Sequence, residues 1–194
     1  MNDKMQVLFV KQTGHLVAAF TRSADPEGNA GVQSLAGTGV LVRNVQKRLP
    51  AASGGESLLV DASSLDVAVV DFRSDVFPAP IQFTAGGGAV ARLGTGTSAT
   101  LSIGTFNTDA ITIQLSAMPN ENVKVWAQIE QLTPGMPLER RVVQGEIDKT
   151  QTGVTLRLTT SLGGPQASLP NKNTCNILVL VAGYPPIFST QSPT

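Results

Sequence analysis

The sequence is short of the residues from which most enzymes build their sites. In 194 residues there is one cysteine (Cys175), one histidine (His15), one tryptophan (Trp126) and one tyrosine (Tyr184). A single cysteine excludes a disulfide scaffold. One His and one Cys also fall short of the ligand set that a zinc site requires. A Ser-His-Asp or Cys-His arrangement would have to recruit His15, and no G-x-S-x-G segment supplies a nucleophile. His15 follows Gly14 at the entry to a predicted strand and is expected at the surface or at a strand end. Cys175 precedes an apolar run and is expected to be a small, inert core residue. The acidic pairs Asp71 with Asp75, Asp61 with Asp66, and Glu139 with Glu146 lie in no motif and read as solvated surface groups rather than a glycosidase dyad.

Charge is equally scarce. Only 14% of residues are charged, against roughly 25% in a typical soluble domain. Lys+Arg and Asp+Glu number 14 each, so the formal net charge is zero. A nucleic-acid partner would call for a basic surplus or stripe, and none is present. A disordered chain would combine low hydrophobicity with high net charge, whereas 41% of this chain is hydrophobic.

Long hydrophobic runs are missing too. The longest, Ile177 to Ala182, has the length of one strand and not the roughly 18 residues of a membrane span. The run Gln6–Val10 is too short for a signal-peptide core, and no small-residue cleavage site follows it. There is no Asn-x-Ser/Thr acceptor. The expectation is cytoplasmic synthesis without a signal peptide, compatible with later incorporation into a particle. No cofactor is expected. Gly86-Gly87-Gly88-Ala89-Val90-Ala91 formally satisfies G-x-G-x-x-A, but that mechanism needs a helix behind the glycines. Gly94 and Gly96 follow at once, so the stretch reads as a flexible turn or a domain linker.

What the sequence does have is period-2 alternation. Ile111, Ile113 and Leu115 alternate with Thr112, Gln114 and Ser116. Val154, Leu156 and Leu158 alternate with Thr155, Arg157 and Thr159, and Val123, Val125, Ala127 and Ile129 share one parity of Asn122–Glu130. Such segments are half-buried antiparallel strands with one wet face. Leu65–Phe72 and Asn176–Ala182 are more continuously apolar and suit strands covered on both faces. Further strands are expected at Gln6–Val10, Leu16–Arg22, Gly39–Val45, Ser57–Asp61, Ile81–Thr84, Ser98–Ile103 and Arg141–Ile147. Turn chemistry separates them at Asp25-Pro26-Glu27-Gly28, Pro119-Asn120-Glu121-Asn122, Thr133-Pro134-Gly135 and Gly163-Gly164-Pro165. Helix signals stop at a turn or two within Asn29–Leu35. About a dozen short strands at roughly 10-residue spacing predict an all-β chain, an antiparallel β-sandwich or barrel-like fold.

The organisation expected is one composite β unit over residues 1–194. The alternative is an N-terminal β subdomain (1–76), a sandwich (81–183) and an extended tail (184–194), with the break at residues 77–80.

Two features bear on function. Trp126 has the opposite parity to Val123, Val125, Ala127 and Ile129, which places it on the outer face with Lys124, Gln128 and Glu130. There it is a candidate anchor for a sugar ring or a protein partner, or is covered by a neighbouring loop. The tail Gly183-Tyr184-Pro185-Pro186-Ile187-Phe188 is barred from helix by its prolines. It makes Tyr184, Ile187 and Phe188 interface candidates on a terminal arm, unless that arm folds back on its own domain. With Thr, Ser and Gln dominating the polar faces (Ser and Thr total 33), the expected role is non-enzymatic. It is a structural or assembly subunit of a multimeric particle, such as a viral or phage-tail-like shell, tail, fibre or decoration component. Its partners are other protein subunits, including copies of itself. The alternative is a carbohydrate-binding or adhesin-like module with Trp126 in the site.

Overall fold

The computed structural model describes residues 4–21, 31–43, 57–94, 99–131, 139–161, 164–165, 168–169 and 173–194. The turns expected at Asp25–Gly28 and Thr133–Gly135 lie outside them. The fold is all-β, mostly strand with little helix. The chain divides into two compact units, Met1–Thr95 and Gly96–Thr194. Residues 77–80, the alternative break point, lie inside the first unit.

In the first unit, β1 (Lys4–Val10) is the middle of a three-stranded antiparallel sheet, between β2 (Leu16–Thr21) and β5 (Leu65–Asp71). A five-residue helix, α1 (Val32–Ala36), follows β2 where a turn or two of helix was expected. It precedes the hairpin of β3 (Gly39–Arg43) and β4 (Ser57–Asp61). One face of β1 puts Met5 and Val7 into a core with Leu16, Val70, Val76, Phe83 and Val90.

Phe83 and Val90 reach that core from a second hairpin, β6 (Phe83–Gly86) with β7 (Ala89–Arg92). Its turn is Gly87-Gly88, with φ of 59° and 80°. Two successive positive φ values define the type I′ turn, whose twist matches the strands it joins. The triple glycine thus makes a hairpin, and no helix follows it. Gly14 is constrained as well. Its φ is +74°, and a Cβ there would stand 2.7 Å from Thr84 Oγ1. His15 bridges to Thr84 just before β2, fully buried, with Nδ1 3.0 Å from Thr13 Oγ1. It lies at a strand end as expected, but inside the unit rather than on its surface.

The second unit holds two antiparallel sheets over one core. The first is β11 (Glu139–Ile147), β10 (Val123–Gln131), β15 (Cys175–Val181) and β16 (Ile187–Gln191), in that spatial order. The second is β12 (Gly153–Arg157), β9 (Ala110–Leu115) and β8 (Leu101–Phe106). A two-stranded ribbon, β13 (Thr160–Ser161) with β14 (Gly164–Pro165), follows β12. Ile111, Ile113, Leu115 and Leu156 of the second sheet pack in one cluster with Val123, Val125, Ala127, Ile129, Ile177, Val179 and Val181 of the first. The apolar parity predicted for each of these three strands faces the core, because each parity set is one face of a pleated strand; β9 and β12 keep the wet outer face expected of them, whereas β10 is buried on both faces from Val125 to Gln131.

Candidate interaction surface

At one side of the second unit the two sheets meet. Gly145 of β11 lies so close that a Cβ on it would run into the Leu156 side chain of β12. The opposite side is bounded by the two other edge strands, β8 and β16. Thr194 joins them at one end, its amide N–H and hydroxyl both donated to the Phe106 carbonyl, at 3.0 and 3.1 Å. Neither strand carries a charge. Residues 93–108 and 173–194 contain no Asp, Glu, Lys or Arg at all. Edge strands are normally guarded by charged side chains, especially lysine, because their unpaired N–H and C=O groups are templates for another chain.

β8 and β16 differ in regularity. The pairing of β8 with β9 slips between Ile103 and Phe106, and β8 carries a glycine, Gly104, in that interval. β16 pairs with β15 without a shift from Ile187 opposite Val179 to Gln191 opposite Cys175. Among the described residues, no strand pairs with the outer edge of β16.

The outer face of the three-stranded sheet adjoins this side. It presents Ser102, Gly104, Thr112, Gln114, Gly153, Thr155 and Arg157. Thr112 and Thr155 share a 3.0 Å hydroxyl contact across β9 and β12. Four cations of this unit are paired, Arg157 on this face among them. Arg157 bonds Asp109, Lys124 bonds Glu146, Arg140 bonds Glu130 and Arg141 bonds Glu139.

The four candidates proposed from sequence fall in different places. Trp126 has the predicted parity, away from Val125 and Ala127, yet it is completely buried. β10 is the strand between β11 and β15, and residues of both its parities are buried from Val125 to Gln131. Gln128, Leu178 and Leu180 beside Trp126 on the outer face are also fully buried. An exposed Trp126 platform is therefore ruled out. Its Nε1–H has no hydrogen-bond partner among the described residues.

Tyr184 is corrected likewise. It is 5% exposed and belongs to the core between the two sheets, because Gly183, at φ +84°, turns the chain back after β15. The tail is not an extended arm: residues 187–191 return as β16 on β15 of the same chain. Ile187 packs partly against the core, and Phe188 stands half-buried on the outer face opposite Leu178. Sequence reading put Ile187 and Phe188 on an extended terminal arm and missed that they belong to a strand. The β-branched and aromatic run Ile-Phe-Ser-Thr-Gln was the available signal.

Two polar rows cross the four-stranded sheet at its far end. On the outer face, Arg140, Glu130, Asn176 and Thr190 are in register. Glu130 Oε1 accepts from Arg140 Nε at 2.9 Å and from Gln128 Nε2 at 2.8 Å, and Thr190 Oγ1 bonds Asn176 Oδ1 at 3.1 Å. On the core face, Glu139, Gln131, Cys175 and Gln191 are in register. Burial pushes the Cys175 thiol up to about 11, assisted by the nearby Glu139 carboxylate. A thiol so protonated is a poor nucleophile at neutral pH. Cys175 is thus a buried residue at the end of the core, as the sequence suggested.

No protein-family model, curated protein or solved structure matches this chain. Among the described residues, no helix is long and apolar enough to cross a membrane.

Proposed function

We propose that the chain is a non-enzymatic structural or assembly subunit of a multimeric particle, acting through protein–protein interfaces. The observation that carries this is the charge-free side of the second unit, where two edge strands, β8 and β16, lack the lysines and glutamates that normally keep edges apart. Charge balance supports it: residues 1–95 contain eight cations and eight anions, and residues 96–194 six of each. Neither half would repel a second copy at long range.

The placement among shell, tail, fibre or decoration components rests on analogy, since all-β bodies with flat polar faces suit those positions. The carbohydrate-binding alternative drew its support from an exposed Trp126, and Trp126 is buried. The test is the mass of the full chain in solution. Light scattering over a concentration series should give multiples of 20.2 kDa. A concentration-independent monomer that is retained on a polysaccharide column would overturn the assembly role.

A further inference from the structure

The geometry points to β16 as the joining element, and to a second copy of this chain as its partner: two β16 strands pair antiparallel across a two-fold axis, extending the four-stranded sheet into an eight-stranded one. This rests on the assembly role above and adds to it the strand, the register and the symmetry.

Three observations select β16. It ends the sheet order β11-β10-β15-β16, so its outer edge is the one place where that sheet can grow on the open side. Its pairing with β15 is regular throughout, whereas the other edge on that side, β8, is interrupted between Ile103 and Phe106. A register break of this kind blunts an edge against further pairing. The Phe106 carbonyl of β8 is in addition already engaged by Thr194.

A second copy is favoured because Ile187-Phe188-Ser189-Thr190-Gln191 is compatible with its own reverse. With Ser189 on the axis, Phe188 faces Thr190 of the second copy, and Ile187 faces Gln191 of the second copy. The first is an aromatic–β-branched pair of the kind that stabilises neighbouring strands. No like charges meet anywhere along the strand, because it carries none. An axis perpendicular to the sheet keeps the outer faces of both copies on one side. The resulting interface is isologous and closes at two subunits. Strand addition of this type draws its affinity from main-chain hydrogen bonds.

Two Ser189 residues opposite each other on adjacent antiparallel strands would have Cα atoms roughly 4.5–5.5 Å apart, inside the range that a disulfide bridges. The full-length Ser189→Cys variant is therefore oxidised mildly without denaturant, beside a Thr112→Cys control on the exposed face of the other sheet. Both variants are made in a Cys175→Ser background, because Cys175 is the diagonal neighbour of position 189 on the core face of the β15–β16 pair. The expected result is a doubling of mass on a non-reducing gel for Ser189→Cys, reversed by reductant, with Thr112→Cys remaining at 20.2 kDa. The double variant Phe188→Lys/Thr190→Lys gives a second readout that needs no cross-link: like charges face each other across the axis on the outer face of the paired strands, and the dimer is lost while circular dichroism stays unchanged. If the unmodified chain is multimeric but Ser189→Cys links no better than the control, β16 pairing is overturned and the assembly role survives. If the chain is a monomer at every concentration, both fall.

Discussion

The guanidinium of Arg141 crosses from β11 to donate Nη1–H to the Leu158 carbonyl, 3.0 Å away, at the end of the second unit's core. Its side chain is 3% exposed, and Glu139, at 37%, is its carboxylate partner. The inward parity of β11, set by Val143 and Ile147, forces Arg141 toward the core, so the charge must find its partners there. Arg141→Ala strands the Leu158 carbonyl and should cost about 2–4 kcal/mol. Glu139→Gln should cost less, because Glu139 is more than a third exposed and screened. Urea denaturation of both variants checks the order, and equal losses would contradict it.

Trp126 supplies a second prediction. As a fully buried residue of the central strand β10, it should lower stability by roughly 3–5 kcal/mol when changed to alanine. Native emission of this single tryptophan should be blue-shifted and move red on unfolding. A near-neutral Trp126→Ala would mean that its face is open after all.

Cys175 gives a chemical test. With the thiol held up to about 11 by burial, a disulfide reagent at pH 8 should find no reactive thiol in the folded chain. It should find one per chain in denaturant. Rapid labelling of the native protein would contradict the burial of this strand.

Acid should weaken the fold in a defined direction. Hydrogen bonds from Arg73 hold Asp75 below its ordinary 3.8, those from Lys124 and Asn122 hold Glu146 below 4.5, and those from Thr150 hold Asp148 below 3.8. Each folded-state value is depressed, so the unfolded chain takes up protons first as the pH falls. The stability these groups contribute is therefore present above their ordinary values and is lost as the pH drops through the folded ones. Denaturation midpoints should fall below about pH 4.5, and Glu146→Gln should flatten that decline. A midpoint independent of pH would contradict these contacts.

These residues also mark where sequence is informative. Alternation placed Ile111, Ile113 and Leu115 on one face because the pleat enforces a period of two. The same period gave Trp126 the correct face, but parity describes a strand and not the layer above it. Burial of that face is a tertiary property with no local signature. The tail failed for a related reason. Pro185 and Pro186 signal a break, and nothing local says that the chain beyond it pairs with β15, a partner that ends only six residues earlier. Of the candidate surface, the absence of charge in residues 93–108 and 173–194 was legible. That β8 and β16 within them are the edge strands bounding one side of the second unit was not, since it depends on the strand order.

The most direct test of assembly through this side is a mass measurement on the full chain and on the double variant Phe188→Lys/Thr190→Lys. Both substitutions lie on the outer face of β16 and put charges opposite each other in a paired edge. Sedimentation velocity should show a multimer for the unmodified chain and a 20.2 kDa monomer for the variant, with the same circular dichroism. A monomeric unmodified chain, or a folded variant that stays multimeric, would contradict the account.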